Sequence, residues 1–273
     1  MKSIFLHPQN TSEYLLMHID WFHILLLCVA AFAAGFVDAI VGGGGLIQLP
    51  AALVLLPAVP VVNIIGSLKI PAFSGTAFAA WQYSKRIDIN WKVVGVICTV
   101  AFFSSFAGSE LLTIVRNDFM KPILLFVLTI VALYTFLKKD FGQHEEKEHS
   151  TTRQLSLAVL ISVIIGFYDG FIGPGAGSFL ILAFITVLGF DFLHSSAHAK
   201  LVNLATNLGS ITLFLFHSKI IWALALPMAV SNALGGILGA RIAIARGNKF
   251  IRVFFLVVVI AILIRFGYDV FIK

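Results

Sequence analysis

The sequence predicts an all-α polytopic membrane protein made of two homologous halves, and three of its features carry that prediction. Composition is the first: 59% of residues are hydrophobic and 12% charged, with a mean hydropathy of +0.99, which leaves too little polar surface for a water-soluble chain. Segmentation is the second, with about ten apolar stretches of roughly 15 to 22 residues, where a membrane-crossing helix needs about 20. Self-similarity is the third. Gly35, Phe36, Asp38, Gly42 and Gly44 recur 131 positions later as Gly166, Phe167, Asp169, Gly173 and Gly175. The same ungapped offset pairs Lys69 with Lys200, Trp91 with Trp222, Gly108 with Gly239 and Phe119 with Phe250.

Residues 1–20 form a polar N-terminal tail, in which His7, Pro8, Gln9, Asn10, Glu13 and Asp20 interrupt any signal-peptide core. The first apolar segment is therefore expected to direct insertion itself. Residues 21–137 are the first repeat half, with segments at Trp21 to Val41, Leu46 to Val62, Ile64 to Tyr83, Val93 to Leu111 and Phe119 to Leu137. The second of these is short. Residues 138–153 are a solvated polar linker, carrying Lys138, Lys139, Asp140, His144 to Glu148 and Arg153. Residues 154–273 are the second half, with the five segments repeated at the same offset. In all, about 8 to 10 transmembrane or half-membrane helices are expected, broken at Gly-rich segments.

Charge sets the orientation. Lys85, Arg86 and Lys92 follow the third segment of the first half, whereas Arg241, Arg246, Lys249 and Arg252 follow the fourth of the second. Opposite bias at equivalent loops implies inverted repeats, with linker and both basic clusters cytoplasmic and both chain ends outside. Trp91 and Trp222 begin their segments as interfacial anchors. The same loop lysines and arginines account for the net charge of +6 without the dense basic face of a nucleic-acid binder, so no nucleic-acid partner is expected. Cys28 and Cys98 sit in apolar segments and read as packing residues.

The glycine runs, Gly42 to Gly45 and Gly173-Pro174-Gly175-Ala176-Gly177, fall between the first and second segments of each half. Glycine costs about 1 kcal/mol relative to alanine inside a helix and proline about 3. Broken backbone survives in a bilayer only against protein or a wet cavity. Paired breaks therefore point to a central site, with Gly43, Gly44, Gly175 and Gly177 presenting free amides and helix N-termini that attract anions. Close helix packing is the alternative use of small residues. A dinucleotide-binding loop is excluded, because no strand pattern precedes either run.

Lys69 and Lys200 lie within apolar segments, where a lysine costs on the order of 3 kcal/mol, and are the leading candidates for substrate contact. The competing reading has them snorkel to the interface. Ser196, Lys200, Asn203 and Asn207 follow the spacing of one helix face, and His198 belongs to the same polar stretch, so this helix has a wet side. Asp38 and Asp169 close the first segment of each half as proton carriers, lysine counter-ions or caps of the broken backbone. One aspartate and one lysine per half leave an empty site near neutral. His194 and His198 have a metal-compatible spacing but no third ligand pattern beyond Asp191, so neither a metal nor a cofactor is expected.

Three motifs, G-F-V-D-A-I-V-G-G-G-G-L at 35–46, G-F-Y-D-G-F-I-G-P-G-A-G-S-F at 166–179 and A-H-A-K-L-V-N-L-A-T-N-L-G at 197–209, resemble the TauE/SafE sulfite exporter family of bacterial permeases. The resemblance runs over about Trp21 to Phe266 and places glycine, Asp and Lys positions without a gap, although the polar face around Asn203 is not matched residue for residue in the first half. It implies a multi-pass plasma (inner) membrane carrier for sulfite, an organosulfonate or another small organic anion, coupled to a proton or sodium gradient, and not an enzyme. Its partners are then a small anionic substrate and the lipid bilayer, with a homo-oligomer compatible with the chain. A passive anion channel would use the same lysines. An intramembrane aspartyl protease would use Asp38 and Asp169, but the chain lacks that class's Gly-x-Gly-Asp partner motif.

Overall fold

The computed structural model describes residues 20–116 and 151–271, and their regular structure is helical throughout. Eight helices follow in order: α1 Trp21–Val41, α2 Gly45–Leu55, α3 Val61–Ser84, α4 Trp91–Ile114, α5 Thr151–Phe171, α6 Ala176–Leu188, α7 Phe192–Phe216 and α8 Trp222–Phe271. Helix α8 breaks at Gly247, whose φ of 67° is left-handed. Six of these helices are long and apolar enough to cross a membrane, while α2 and α6 are short. The segment at Phe119 to Leu137, and the linker up to residue 150, lie outside the described residues.

Helix α1 has the expected bounds and stops where Gly42 and Gly43 take φ of 76° and 81°, a region that residues with a side chain rarely adopt. Helix α5 begins at Thr151, so the last residues assigned to the linker are helical. Helix α2 ends at Leu55, well before the expected Val62. The run Leu56-Pro57-Ala58-Val59-Pro60 cannot continue it, since proline withdraws an amide and Pro60 has the extended ψ of 137° just before α3. Asn90 and Asp191 start α4 and α7 by accepting bonds from the first-turn amides.

The two halves are interlocked. Helix α1 packs most extensively on α8, and its counterpart α5 on α4; α3 also packs on α8, and its counterpart α7 on α4. Each half thus lends its fourth helix to the other. Phe32 meets Gly235 and Phe36 meets Gly239, so α1 and α8 run in the same direction. Ala101 meets Gly166 and Ser105 meets Gly170, so α4 and α5 do likewise. Gly66 against Phe214 and Thr76 against Asn203 show that α3 and α7 run oppositely. Two buried apolar clusters fill the ends of the bundle: one includes Leu49, Ile64, Leu68, Phe214 and Met228, the other Ile40, Tyr83, Leu180, Phe184 and Ala199. A polar waist lies between them, and the outer surface, with Trp21, Phe103, Ile164 and Val230 exposed, is apolar as a lipid-facing surface must be.

Candidate central site

At the waist the two helix breaks face each other, with Gly42 against Gly177 and Gly45 against Pro174. A broken helix leaves backbone carbonyls that need donors. Most are supplied from the opposite half. Lys69 Nζ donates to the Asp169 carbonyl at 2.6 Å, Ser109 Oγ to the Gly170 carbonyl at 3.0 Å and Ser178 Oγ to the Val41 carbonyl at 3.1 Å. Lys200 Nζ donates to the Asp38 carbonyl. Tyr83 and Tyr168 hydroxyls donate to the carbonyls of Ala39 and Pro174 at 3.1 and 2.6 Å.

Each lysine also meets the carboxylate of the other half, Lys69 to Asp169 Oδ1 and Lys200 to Asp38 Oδ2, both at 3.0 Å. The side chains of Lys69 and Lys200 are 7% and 0% exposed. Both lie eight residues inside their helices, deeper than the expected segment starts gave, and neither snorkels to the interface. The two ion pairs exchange under the 131-residue offset and are charge-balanced, which lowers the cost of burying either member.

Between the breaks lies a cavity of about 70 Å³, room for several water molecules. Its wall carries Lys69, Asp38, Asp169, Asn203, Asn207, and the predicted glycines Gly43, Gly44, Gly175 and Gly177. Helices α2 and α6 both begin at this wall, with glycines at their N-cap positions, so their first-turn amides and positive dipole ends converge on it.

Three of the residues singled out from the sequence are elsewhere. Lys200 is sealed behind the wall, and Ser196 is fully buried toward the Tyr83 end. His198 points to a separate cavity, packing on Phe184 and Phe190 while its Nδ1 bonds the His194 carbonyl at 2.8 Å. Two residues along a helix turn by about 200°, so His198 and Lys200 occupy opposite faces. His194 pairs with Asp191 at 2.7 Å. Partial burial pushes the Asp191 carboxyl up, but its bonds from His194 and the Leu193 amide prevail and hold it below its ordinary value.

Four polar residues were not singled out: Gln48 and Asn232 on the cavity wall, and Thr76 and Thr206 bonding the two aspartates. Thr206 was within reach, since it neighbours Asn207 on an already polar helix. Gln48 had one signal, a carboxamide in an apolar segment three residues after a glycine run.

A multi-span helical bundle with two broken helices meeting at a buried, charged waist defines a membrane-transporter class of protein. The chain belongs to the TauE/SafE family: residues 27–266 match the family described as Sulfite exporter TauE/SafE. It is 38% identical over 245 residues to a probable membrane transporter protein ORF9 of Sinorhizobium sp, covering 89% of this chain and 92% of the relative. It is 35% identical over 228 residues to a probable membrane transporter protein of Haemophilus influenzae, covering 84% and 88%. With the probable membrane transporter protein YfcA of Escherichia coli K12 it shares 33% identity over 244 residues, covering 89% of each chain. No solved structure matches. The protein is thus a multi-pass membrane transporter of this family.

Proposed function

We propose that this protein is a secondary transporter for a small oxyanion, of the sulfite or organosulfonate type, which binds in the waist cavity between two inverted repeats. The observation that carries the reading is the convergence of two helix N-termini and Lys69 on one cavity, donors and positive ends meeting where a bilayer would otherwise exclude charge. The two aspartates each face an ammonium instead of sharing a proton with each other, an arrangement unlike a protease dyad.

Inverted repeats are supported by tracing helix directions. Helix α7 opposes α3, and α8 turns back from α7 through a short loop, so α8 runs with α3 and against α4. Since α1 follows α8 and α5 follows α4, all three long counterpart pairs run oppositely. Lys85, Arg86, Lys92, Arg241 and Arg246 then share one face, the cytoplasmic one by the positive-inside bias.

Alternating access is supported by lopsidedness. The wall includes Leu49, Ile65 and Leu68 on the side away from the basic face, while their counterparts Leu180, Ser196 and Ala199 do not line it. A channel would open to both sides at once. In the opposite state the repeats exchange roles, and Lys200 reaches the wall as Lys69 withdraws. The test is uptake of radiolabelled sulfite, thiosulfate and small sulfonates into proteoliposomes under imposed proton and sodium gradients. Gradient-driven uptake that Lys69→Ala and Lys200→Ala each abolish is expected; unimpaired uptake in both variants would move the site away from the lysines.

A further inference from the structure

The cavity wall holds one buried side-chain donor that has no partner among the described residues. Gln48 is 3% exposed, lies on the wall, and its Nε2 has no hydrogen-bond partner. Its Oε1 accepts from Asn232 Nδ2 at 3.0 Å, which fixes the carboxamide and leaves the amino group as the unpartnered end of a wall residue. Buried amides are nearly always satisfied in native proteins, so an orphan on a cavity wall marks a place for an acceptor that arrives from outside.

The surroundings are shaped to keep this amide in place. Gln48 stands one turn into α2, its own backbone amide bonded to the Gly44 carbonyl at 3.0 Å, so its position is tied to the helix N-terminus at the cavity. Asn232, on α8, is inserted between α1 and α3. A Cβ at Gly35 or at Gly75 would collide with its backbone carbonyl or its side-chain oxygen. Both positions are therefore cut back to hydrogen to admit it. The second half has no such device, because Gln48, Asn232 and Gly75 correspond to Phe179, Ala101 and Thr206. Phe179 instead packs edge-on against Tyr168 at 5.6 Å.

The acceptors near the cavity, by contrast, are engaged. Asn203 Oδ1 accepts from Asn207, and the Asp169 carboxylate accepts from Lys69, Asn203 and Thr206.

We propose that Gln48 is a substrate-binding, specificity-determining residue that donates its free amide hydrogens to an oxygen of the anion, and that Asn232 is the positioning residue that holds it. This rests on the anion-transport reading above. A neutral donor at a fixed angle discriminates by geometry: a polyoxygen anion offers one oxygen to the α2 and α6 amides and another to Gln48, whereas a halide of equal charge cannot satisfy both. Only the first half carries the amide, so it strengthens binding in the state whose cavity Gln48 lines.

The experiment measures the concentration dependence of radiolabelled sulfite uptake in proteoliposomes, with chloride as competitor. Gln48→Met preserves volume and removes the donor; the expected result is a half-saturation concentration raised about tenfold, maximal rate within about twofold, and weaker discrimination against chloride. Gln48→Glu places a carboxylate in the same volume and is expected to lose uptake while eluting as the wild type does in size exclusion. Asn232→Ala is expected to raise half-saturation about threefold without lowering the maximal rate. Wild-type half-saturation and chloride discrimination in a folded Gln48→Met, or normal uptake by Gln48→Glu, would overturn the assignment while leaving the transporter reading intact. A wild type that moves neither sulfite, thiosulfate nor small sulfonates would instead overturn both.

Discussion

The two aspartates occupy equivalent positions in the repeats but are held with unequal firmness. Asp169 takes Lys69 at 3.0 Å, Asn203 at 3.2 Å and the Thr206 hydroxyl, and its side chain is 5% exposed. Asp38 takes Lys200 at 3.0 Å, the Gly44 amide at 3.3 Å and the Thr76 hydroxyl at 3.4 Å, and its side chain is 18% exposed. The divergence lies where the repeats differ in residue type. Thr206 and Asn203, the tight ligands of Asp169, correspond to Gly75 and Ala72. Gly75 gives up a hydroxyl to admit Asn232, and Ala72 gives up an amide to become cavity wall. The first half has thus exchanged ligands of its own carboxylate, Asp38, for space and for a clamp on Gln48. Duplicated halves keep the ion pairs that hold the breaks closed and differ in what surrounds them.

The comparison can be broken most forcefully at the sealed pair. Lys200→Met strands the Asp38 carboxylate, and loss of a buried ion-pair member costs about 3–5 kcal/mol. The thermal midpoint in detergent should fall sharply and recover in large part when Asp38→Asn is added. Next in size, Asp169→Asn should destabilise more than Asp38→Asn, because it weakens shorter and more deeply buried charge-assisted bonds, each worth about 1.5–3 kcal/mol. Equal losses in a side-by-side melt would refute the inequality. Thr206→Val should cost about 1–3 kcal/mol by the same measurement, as a buried acceptor loses a close donor. Thr76→Val, whose bond to Asp38 is long, should cost less than about 1 kcal/mol.

The breaks, both lysines and both aspartates were legible because charge and consecutive glycines are improbable in lipid. The bounds of α1 were legible for the same reason, since Asp20 and Gly42 flank an apolar run interrupted only by His23 and Asp38. Cross-half pairing was not, because a repeat reveals which residues are equivalent and says nothing of which touch. Lys69 meets Asp169 across 100 positions, and Gln48 meets Asn232 across 184. Helix α2 was read too long because Leu56, Val59 and Val61 are apolar although Pro57 and Pro60 end the helix. His198 was grouped with Lys200 by closeness in sequence, where the helical turn separates them.

The claim that a one-sided cavity changes sides by exchange of the repeats is tested most directly by thiol labelling. In a chain with Cys28 and Cys98 replaced by serine, Leu68→Cys and its counterpart Ala199→Cys would be exposed to an impermeant reagent from either face, with and without sulfite. The account predicts that Leu68→Cys reacts only from the face opposite the basic loops and Ala199→Cys only from the basic face, with sulfite shifting the two rates in opposite directions. Reaction of either position from both faces, or of both positions from one face, would contradict it.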